Sequence, residues 1–497
     1  MTVEADGSGS ERPASWRTVG AEAIMAEQCQ ARGQWGLVAA AAPTAALIGA
    51  DILRSGGNAY DAAVAAALAE TVLLPPKCGL GGDLIAMVWP AGSEVPETLI
   101  AVGGAPAGLA AIAAAGHLTE TGPMSVGVPA APAGYAALAE RGVFSLERLV
   151  EPAIVLAERG FAWSRICAVL SDESRVLVRQ HSVDNTRYYP DGRALTPGET
   201  VRLPGMARML EKFAASGADI FQGAIGQAIV SRVRGAGGVL DERDFEFARA
   251  EWGRPVSLSR AEALLYATPA PTHGASLLDA VSQFPTDGDQ SDAYRAALAA
   301  IATRRDTLGD PSGTSMVTVM DSVGTMVLIV HSNSFPRFGS GLILSEYDMI
   351  LANRAGRGFN AVEGHPNFPL PGKRPASTLH AWAARLRDGR RMLGATPGGT
   401  NQMPWNASTI ASLLAGETDV GKLVVAPRWE WRPQDDGVVL EDGFSLAEAQ
   451  RLSSVAPSTV SVDRWAMRSA MQIVTRDGRG NGAIAVDPRT VGAVVAL

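Results

Sequence analysis

Two features of the chain combine residue types and spacing that suit acyl chemistry: a hydroxyl at the start of a strand, and a pair of glycines ahead of a helix. In Pro311-Ser312-Gly313-Thr314-Ser315-Met316-Val317-Thr318-Val319-Met320-Asp321 a Gly/Pro/Ser loop runs directly into a β-branched stretch, which makes Thr314 the first residue of a strand. Asp321-Ser322-Val323-Gly324 carries turn chemistry, and Thr325 to Asn333 reads as the returning strand of an antiparallel hairpin. With Asp321 facing Gly324 across the turn, the register predicts Thr314 opposite His331. A histidine there could tune or relay a proton near neutral pH, or serve as a hydrogen-bonded packing residue. In Ala395-Thr396-Pro397-Gly398-Gly399-Thr400, consecutive glycines ahead of a helix can aim backbone N–H groups at one point, as an oxyanion hole requires, or make a tight turn. A threonine opening a strand is by itself an ordinary β-former, so the remaining elements decide.

Leu37 to Ala41 is a buried-strand candidate, and Pro43 opens a helix that reaches about Ser55, ahead of Gly56-Gly57. A second helix, Ala59 to about Leu73, is nearly all alanine and leucine on one side and is stopped by Pro75-Pro76. Cys78-Gly79-Leu80-Gly81-Gly82-Asp83 then precedes a strand over Leu84 to Trp89. Its glycines allow tight packing or a ligand's approach, but the spacing fits neither common phosphate-loop fingerprint. Helices are expected over Ser145 to Arg159, Met206 to Ser216, Ile225 to Arg234 and Asp292 to Ile301. The segments Asp184 to Glu199, Thr286 to Ser291, Phe338 to Gly341 and Asn353 to Phe359 are expected to be loops. Gly416 to Lys422 matches most of a phosphate-binding loop, but Leu423 stands where the metal-binding hydroxyl belongs, and no G-x-S-x-G elbow is present.

A net charge of −8, with no basic run, argues against nucleic acid or an anionic membrane as partner and leaves a small molecule as the default. Cys29, Cys78 and Cys167 are widely spaced and form no C-x-x-C pair, so neither a disulfide framework nor a zinc site is suggested. Residues 1–20 read as a disordered polar tail without an export signal, which gives a cytoplasmic expectation. No apolar stretch approaches the roughly 20 residues of a membrane helix.

Several of these stretches together resemble the gamma-glutamyltransferases, a family of N-terminal nucleophile hydrolases. The run from Ile52 through Gly56-Gly57-Asn58-Ala59-Tyr60-Asp61 to Ala65, followed by Gly79-Leu80-Gly81-Gly82, resembles the family's N-terminal signature. Val128-Pro129, Glu151-Pro152-Ala153-Ile154, Asp219 to Gly223, Gly372-Lys373-Arg374-Pro375 and Pro397-Gly398-Gly399 follow in the expected order. The resemblance implies an α/β fold, a four-layer αββα sandwich of the N-terminal nucleophile hydrolase type. It also implies a precursor that cuts itself at Gly313–Thr314 into a large subunit segment (21–313) and a small one (314–497). It makes Thr314 the nucleophile, Gly398 and Gly399 the oxyanion donors, and Ser377, Thr378 and Asn333 substrate contacts, with no metal or cofactor required.

Three departures bear on the substrate. Val102-Gly103-Gly104 stands where the family has the arginine that holds the glutamyl α-carboxylate, and Arg354-Ala355-Gly356-Arg357-Gly358 replaces its ammonium-binding acidic pair. His331 replaces a threonine. Losing both halves of a zwitterion clamp, each worth about 1.5–3 kcal/mol, argues against a standard γ-glutamyl donor. Arg337, Arg354 and Arg357 are candidates to bind a carboxylate with the polarity reversed. The resemblance leaves open amide hydrolysis or acyl transfer, and carbon–carbon bond hydrolysis next to a carbonyl in specialised (antibiotic) alkyl-proline metabolism. A third reading is an unprocessed, non-catalytic ligand-binding homologue.

Overall fold

The computed structural model describes residues 20–182, 186–260, 263–285, 287–305 and 314–497. The expected N-terminal tail lies outside the described residues except for Gly20, as does Gly313 of the expected processing junction.

Two seven-stranded antiparallel sheets stack face to face. The first runs Ala493–Ala496, Gly36–Ala40, Ser315–Asp321, Met326–Ser332, Asp83–Trp89, Glu97–Ala101, Glu251–Gly253. The second runs Gln30–Gly33, Gly482–Val486, Gln472–Arg476, Arg391–Ala395, Trp382–Leu386, Ala263–Ala267, Val256–Arg260. Leu37, Met87, Trp89, Met316, Met320, Leu393 and Val474 belong to the apolar layer between them. The opposite face of the first sheet, with Val38, Val317, Val319 and Ile329, packs on the helices of the N-terminal half. The second sheet is covered by a separate helical layer that includes Gly274–Ser282, Gln290–Arg305 and Gln402–Leu414. This is the four-layer αββα sandwich that the resemblance implied.

Strand alternation drives the layering, because successive side chains point to opposite faces. The helix Ala59–Leu73 is buried along its whole length, and its alanines let it lie close on the first sheet. Asn58 caps it by accepting from the Tyr60 and Asp61 amides, while Asp61 accepts from the Asn58 amide. Asp321, in the hairpin turn, accepts from the Ala59 amide at 3.1 Å and so ties the turn to that helix start.

Among the described residues, a polar tie crosses the largely apolar layer between the sheets. Thr318 donates to Gln472 Oε1 at 2.8 Å, and Gln472 Nε2 donates to the Met316 carbonyl at 2.8 Å. It fixes the strand after Thr314 against its counterpart in the other sheet. The expected loop over Asn353 to Phe359 is a correction: Arg354–Gly358 forms a short helix with Arg354, Ala355 and Gly358 buried. A hydrophobic cluster of Ala105, Leu109, Ala355 and Phe359 explains why polar sequence there is ordered.

Beneath the C-terminal strands lies a buried ionic group. Asp487 accepts from Ser469 at 2.7 Å, from Arg489 Nη1 at 3.0 Å and from Arg428 Nη2 at 3.4 Å, and Arg489 also binds Glu441. Burial alone would raise the Asp487 carboxyl, but the Arg489 and Arg428 guanidiniums leave it below the ordinary value. Its stabilisation is therefore complete above the unfolded-state value and is lost as pH falls through the lower folded-state value. Asp487→Asn is predicted to cost about 3–5 kcal/mol near neutral pH, and the gap to the wild type should close as pH drops below about 4. Denaturant unfolding at several pH values checks this; a loss under 1 kcal/mol at pH 7 would sink it.

Candidate active site

Thr314 stands immediately before Ser315–Asp321, near the middle of the first sheet, and is buried. Its hydroxyl donates to Ser332 Oγ at 3.3 Å, and that oxygen also accepts from the Ser334 amide at 2.9 Å. The register differs by one residue from the expectation. Asp321 pairs with Thr325 rather than Gly324, because Gly324 adopts φ +93° and Asp321 Oδ1 accepts from both the Gly324 and Thr325 amides. The loop thereby holds three residues instead of two. His331 consequently faces Ser315, and Thr314 projects to the other side of the sheet.

On the helix side, His331 joins a buried polar cluster. Three donors converge on the Glu70 carboxylate: the Ala41 amide at 2.6 Å, the Ser315 hydroxyl at 2.5 Å and His331 Nε2 at 2.9 Å. His331 Nδ1 lies 2.7 Å from the Tyr135 hydroxyl, which can donate to it. Both ring nitrogens are thus engaged away from the Thr314 hydroxyl. Glu70, Cys78 and His331 bring one potential ligand atom each within 4.8 Å of one another. As a metal site they fit poorly, since burial pushes the Cys78 thiol well above its ordinary pKa and the imidazole and carboxylate already satisfy each other.

The Thr314 side opens on a cavity of about 500 Å³. Its wall includes Phe335, Trp405, Gly398, Lys77, Arg337 and Glu430. Gly398 and Gly399 join the strand Arg391–Ala395 to a short turn, Gly399–Asn401, and then to the helix Gln402–Leu414. The first N–H groups of such a helical segment have no acceptor within it. Gly398 sits at φ 150°, and a Cβ there would lie 2.2 Å from the Trp405 ring, so only glycine fits. The cavity wall thus includes Thr314 from one sheet and Gly398 from beyond the end of a strand of the other.

The other expected residues divide. Asn333 donates to the Pro75 carbonyl at 3.1 Å, and its buried Oδ1 has no hydrogen-bond partner. Gly82 must be glycine because a Cβ there would lie 2.1 Å from the Ser332 carbonyl, and Gly81 approaches the Ile350 carbonyl equally closely. That glycine run is therefore a packing device. Ser377 and Thr378 are buried and lead into the strand Trp382–Leu386. Arg354 and Arg357, expected as open carboxylate ligands, are paired within the protein: Arg354 Nε donates to Asp83 at 2.6 Å and Arg357 Nη1 to Glu120 at 2.6 Å. Glu70, Tyr135 and Lys77 went unnoticed in the sequence. For Glu70 and Lys77 the available signal was a charged residue within an apolar helix and one just before the Gly-rich run.

A family model described as Gamma-glutamyltranspeptidase matches residues 45–311 and 282–497. The oxamate amidohydrolase proenzyme of Klebsiella pneumoniae is 26% identical over 89% of this chain and 94% of its own length. The glutathione hydrolase proenzyme of Escherichia coli is 26% identical over 93% of this chain and 91% of its own. Among solved structures, cephalosporin acylase from Bacillus halodurans superposes with a TM-score of 0.83 and 27% identity, covering 100% of this chain and 99% of that one. No helix among the described residues is long and apolar enough to cross a membrane.

With Glu70 held by three donors, His331→Leu should act on stability. Removing one donor and unpairing the Tyr135 hydroxyl is predicted to lower the unfolding free energy by about 3 kcal/mol. Wild-type stability in that variant, measured by denaturant unfolding, would contradict the structural role.

Proposed function

Because the chain belongs to the gamma-glutamyltranspeptidase family of N-terminal nucleophile hydrolases, we propose that it is a self-processing acyl hydrolase or acyltransferase acting on an amide of a small molecule, with Thr314 as nucleophile. The observation that carries this reading is the shared cavity: Thr314 and Gly398, brought from opposite sheets, line the same space.

Cleavage of the Gly313–Thr314 bond would yield a large subunit ending at Gly313 and a small one, 314–497, and would free the Thr314 α-amine. An α-amine of ordinary pKa, about 7.7–8.0, suits a general base for the adjacent hydroxyl. It takes the Oγ1 proton as Oγ1 bonds to the acyl carbon, and the carbonyl oxygen becomes an oxyanion facing the Gly398 and Gly399 N–H groups. Collapse breaks the C–N bond, the amine leaves with the proton, and the acyl group stays on Thr314 as an ester. Water then releases the acid, or an amine acceptor takes the acyl group.

The substrate is not a standard γ-glutamyl compound. At Gly103 a Cβ would lie 1.7 Å from the Val128 carbonyl, and at Gly104 one would lie 2.6 Å from Gly372. The backbone is packed too tightly there for the family's carboxylate-binding arginine. The Gly103 amide and Arg354 instead both bind Asp83, so neither half of the zwitterion clamp is in place.

Intact-mass analysis with N-terminal sequencing is expected to find a fragment beginning at Thr314, and Thr314→Ala is expected to remain one chain. A wild-type chain that stays uncut after prolonged incubation would overturn the proposal in favour of a non-catalytic binding protein. In the cut enzyme, Gly398→Ala keeps the N–H, but its Cβ would collide with the Trp405 ring and move that N–H off the oxyanion. Anilide hydrolysis should fall by about 10²-fold in a variant with wild-type circular dichroism, and a loss under threefold would remove Gly398 from the oxyanion hole. Turnover of β-dicarbonyl compounds but not of anilides would shift the reaction to carbon–carbon hydrolysis.

A further inference from the structure

We propose that Lys77 and Arg337 form a carboxylate clamp on the wall of the Thr314 cavity, and that the acyl donors are monoamides of dicarboxylic acids. The inference rests on the reading of Thr314 as nucleophile and names the substrate class for that site.

Both residues line the cavity that holds Thr314 and Gly398. Two backbone hydrogen bonds bring their segments side by side: the Asn333 amide donates to the Lys77 carbonyl at 2.9 Å, and the Phe338 amide to the Pro76 carbonyl at 3.2 Å. The clamp therefore sits within a few residues of Ser332, which accepts from the Thr314 hydroxyl. A carboxylate held on the wall that also carries Thr314 belongs to the acyl part of the donor, which makes that part a diacid.

The remaining charges on the wall are matched inside the protein. Arg489 is held by Glu441 and Asp487, and Arg468 binds Glu173 at 2.7 Å and faces Glu430. Arg337 is different. Its guanidinium stacks on Phe335 with 4.9 Å to the ring centroid, and its buried Nε has no hydrogen-bond partner among the described residues. Lys77 is near Glu70, but that carboxylate already accepts from Ala41, Ser315 and His331.

Burial lowers the Lys77 ammonium below its ordinary value, and the neighbouring Arg337 charge lowers it further, against the Glu70, Cys78 and Cys167 sites. Burial likewise lowers Arg337, with Arg468 adding to the effect and Glu173, which Arg468 already binds, opposing it. Two partly desolvated cations on one cavity wall disfavour each other's charge, and one anionic group bound by both would relieve this while supplying acceptors. Phe335, Trp405, Val169 and Leu170 give the rest of the wall an apolar character that suits the methylenes of a short acyl chain.

The test uses the cut, full-length enzyme. Binding of oxalate, succinate and glutarate is measured by titration calorimetry for the wild type, Lys77→Met, Arg337→Met, and the charge-keeping Lys77→Arg and Arg337→Lys. At least one diacid is expected to bind, each methionine variant should weaken it about 10- to 100-fold, and the charge-keeping variants should lie between. In parallel, mono-4-nitroanilides of the same acids are compared with their methyl esters. The free acids should be preferred about tenfold or more, and the preference should disappear in Arg337→Met. Absence of diacid binding, or equal binding in the methionine variants, overturns the clamp even if neutral anilides are cleaved. Diacid binding that responds to the variants, without cleavage of any anilide, leaves the clamp standing and rejects the nucleophile.

Discussion

The register of one hairpin governs the rest of the site. Between Ser315–Asp321 and Met326–Ser332 the turn holds three residues, because Gly324 takes a left-handed conformation and the Asp321 carboxylate accepts from the two amides that close it. Since side chains alternate along a strand, a shift of one residue would exchange every neighbour of Thr314. With the observed register, Ser315 and His331 reach the helix layer and Thr314 reaches the cavity. The same Asp321 accepts from the Ala59 amide, so the turn that sets the register also docks the helix carrying Glu70.

Buried charge is handled in two contrasting ways on either side of this hairpin. Glu70 and Asp487 are each surrounded by donors, the first by an amide, a hydroxyl and an imidazole, the second by a hydroxyl and two guanidiniums. Such groups hold segments that are distant in sequence and leave no acceptor for a ligand. Lys77 and Arg337, by contrast, line the cavity beside Thr314. A protein interior tolerates the first arrangement as structure, whereas cations on a cavity wall cost free energy until an anion meets them.

The family's fold is kept, while the backbone around Gly103 and Gly104 and the pairing of Arg354 are this chain's own. Gly103 and Gly104 bring two backbone segments into contact where an arginine would otherwise project, and Arg354 is turned onto Asp83 by a short helix packed on Ala105 and Leu109. These changes reinforce one another. Once the backbones touch at Gly103, no long side chain fits there, and Arg354 with Asp83 occupies the neighbouring charge positions as a neutral pair.

Local chemistry was enough to place much of this protein. The helix from Ala59 to Leu73, the strand ending at Trp89, the strand that begins one residue after Thr314 and the glycine pair before a helix follow from proline stops, capping residues and β-branched runs, which act over a few residues. The ordered series of motifs pointed to the family and hence to the sandwich. The side of the sheet on which His331 lies could not be read, because one glycine's φ changes the register without changing the pattern of apolar residues around it. The partners of Arg354, Arg357, Glu70 and Lys77 were equally hidden. Each is set by segments far away in the chain, and whether a charge is matched or faces a cavity exists only once those segments have packed together.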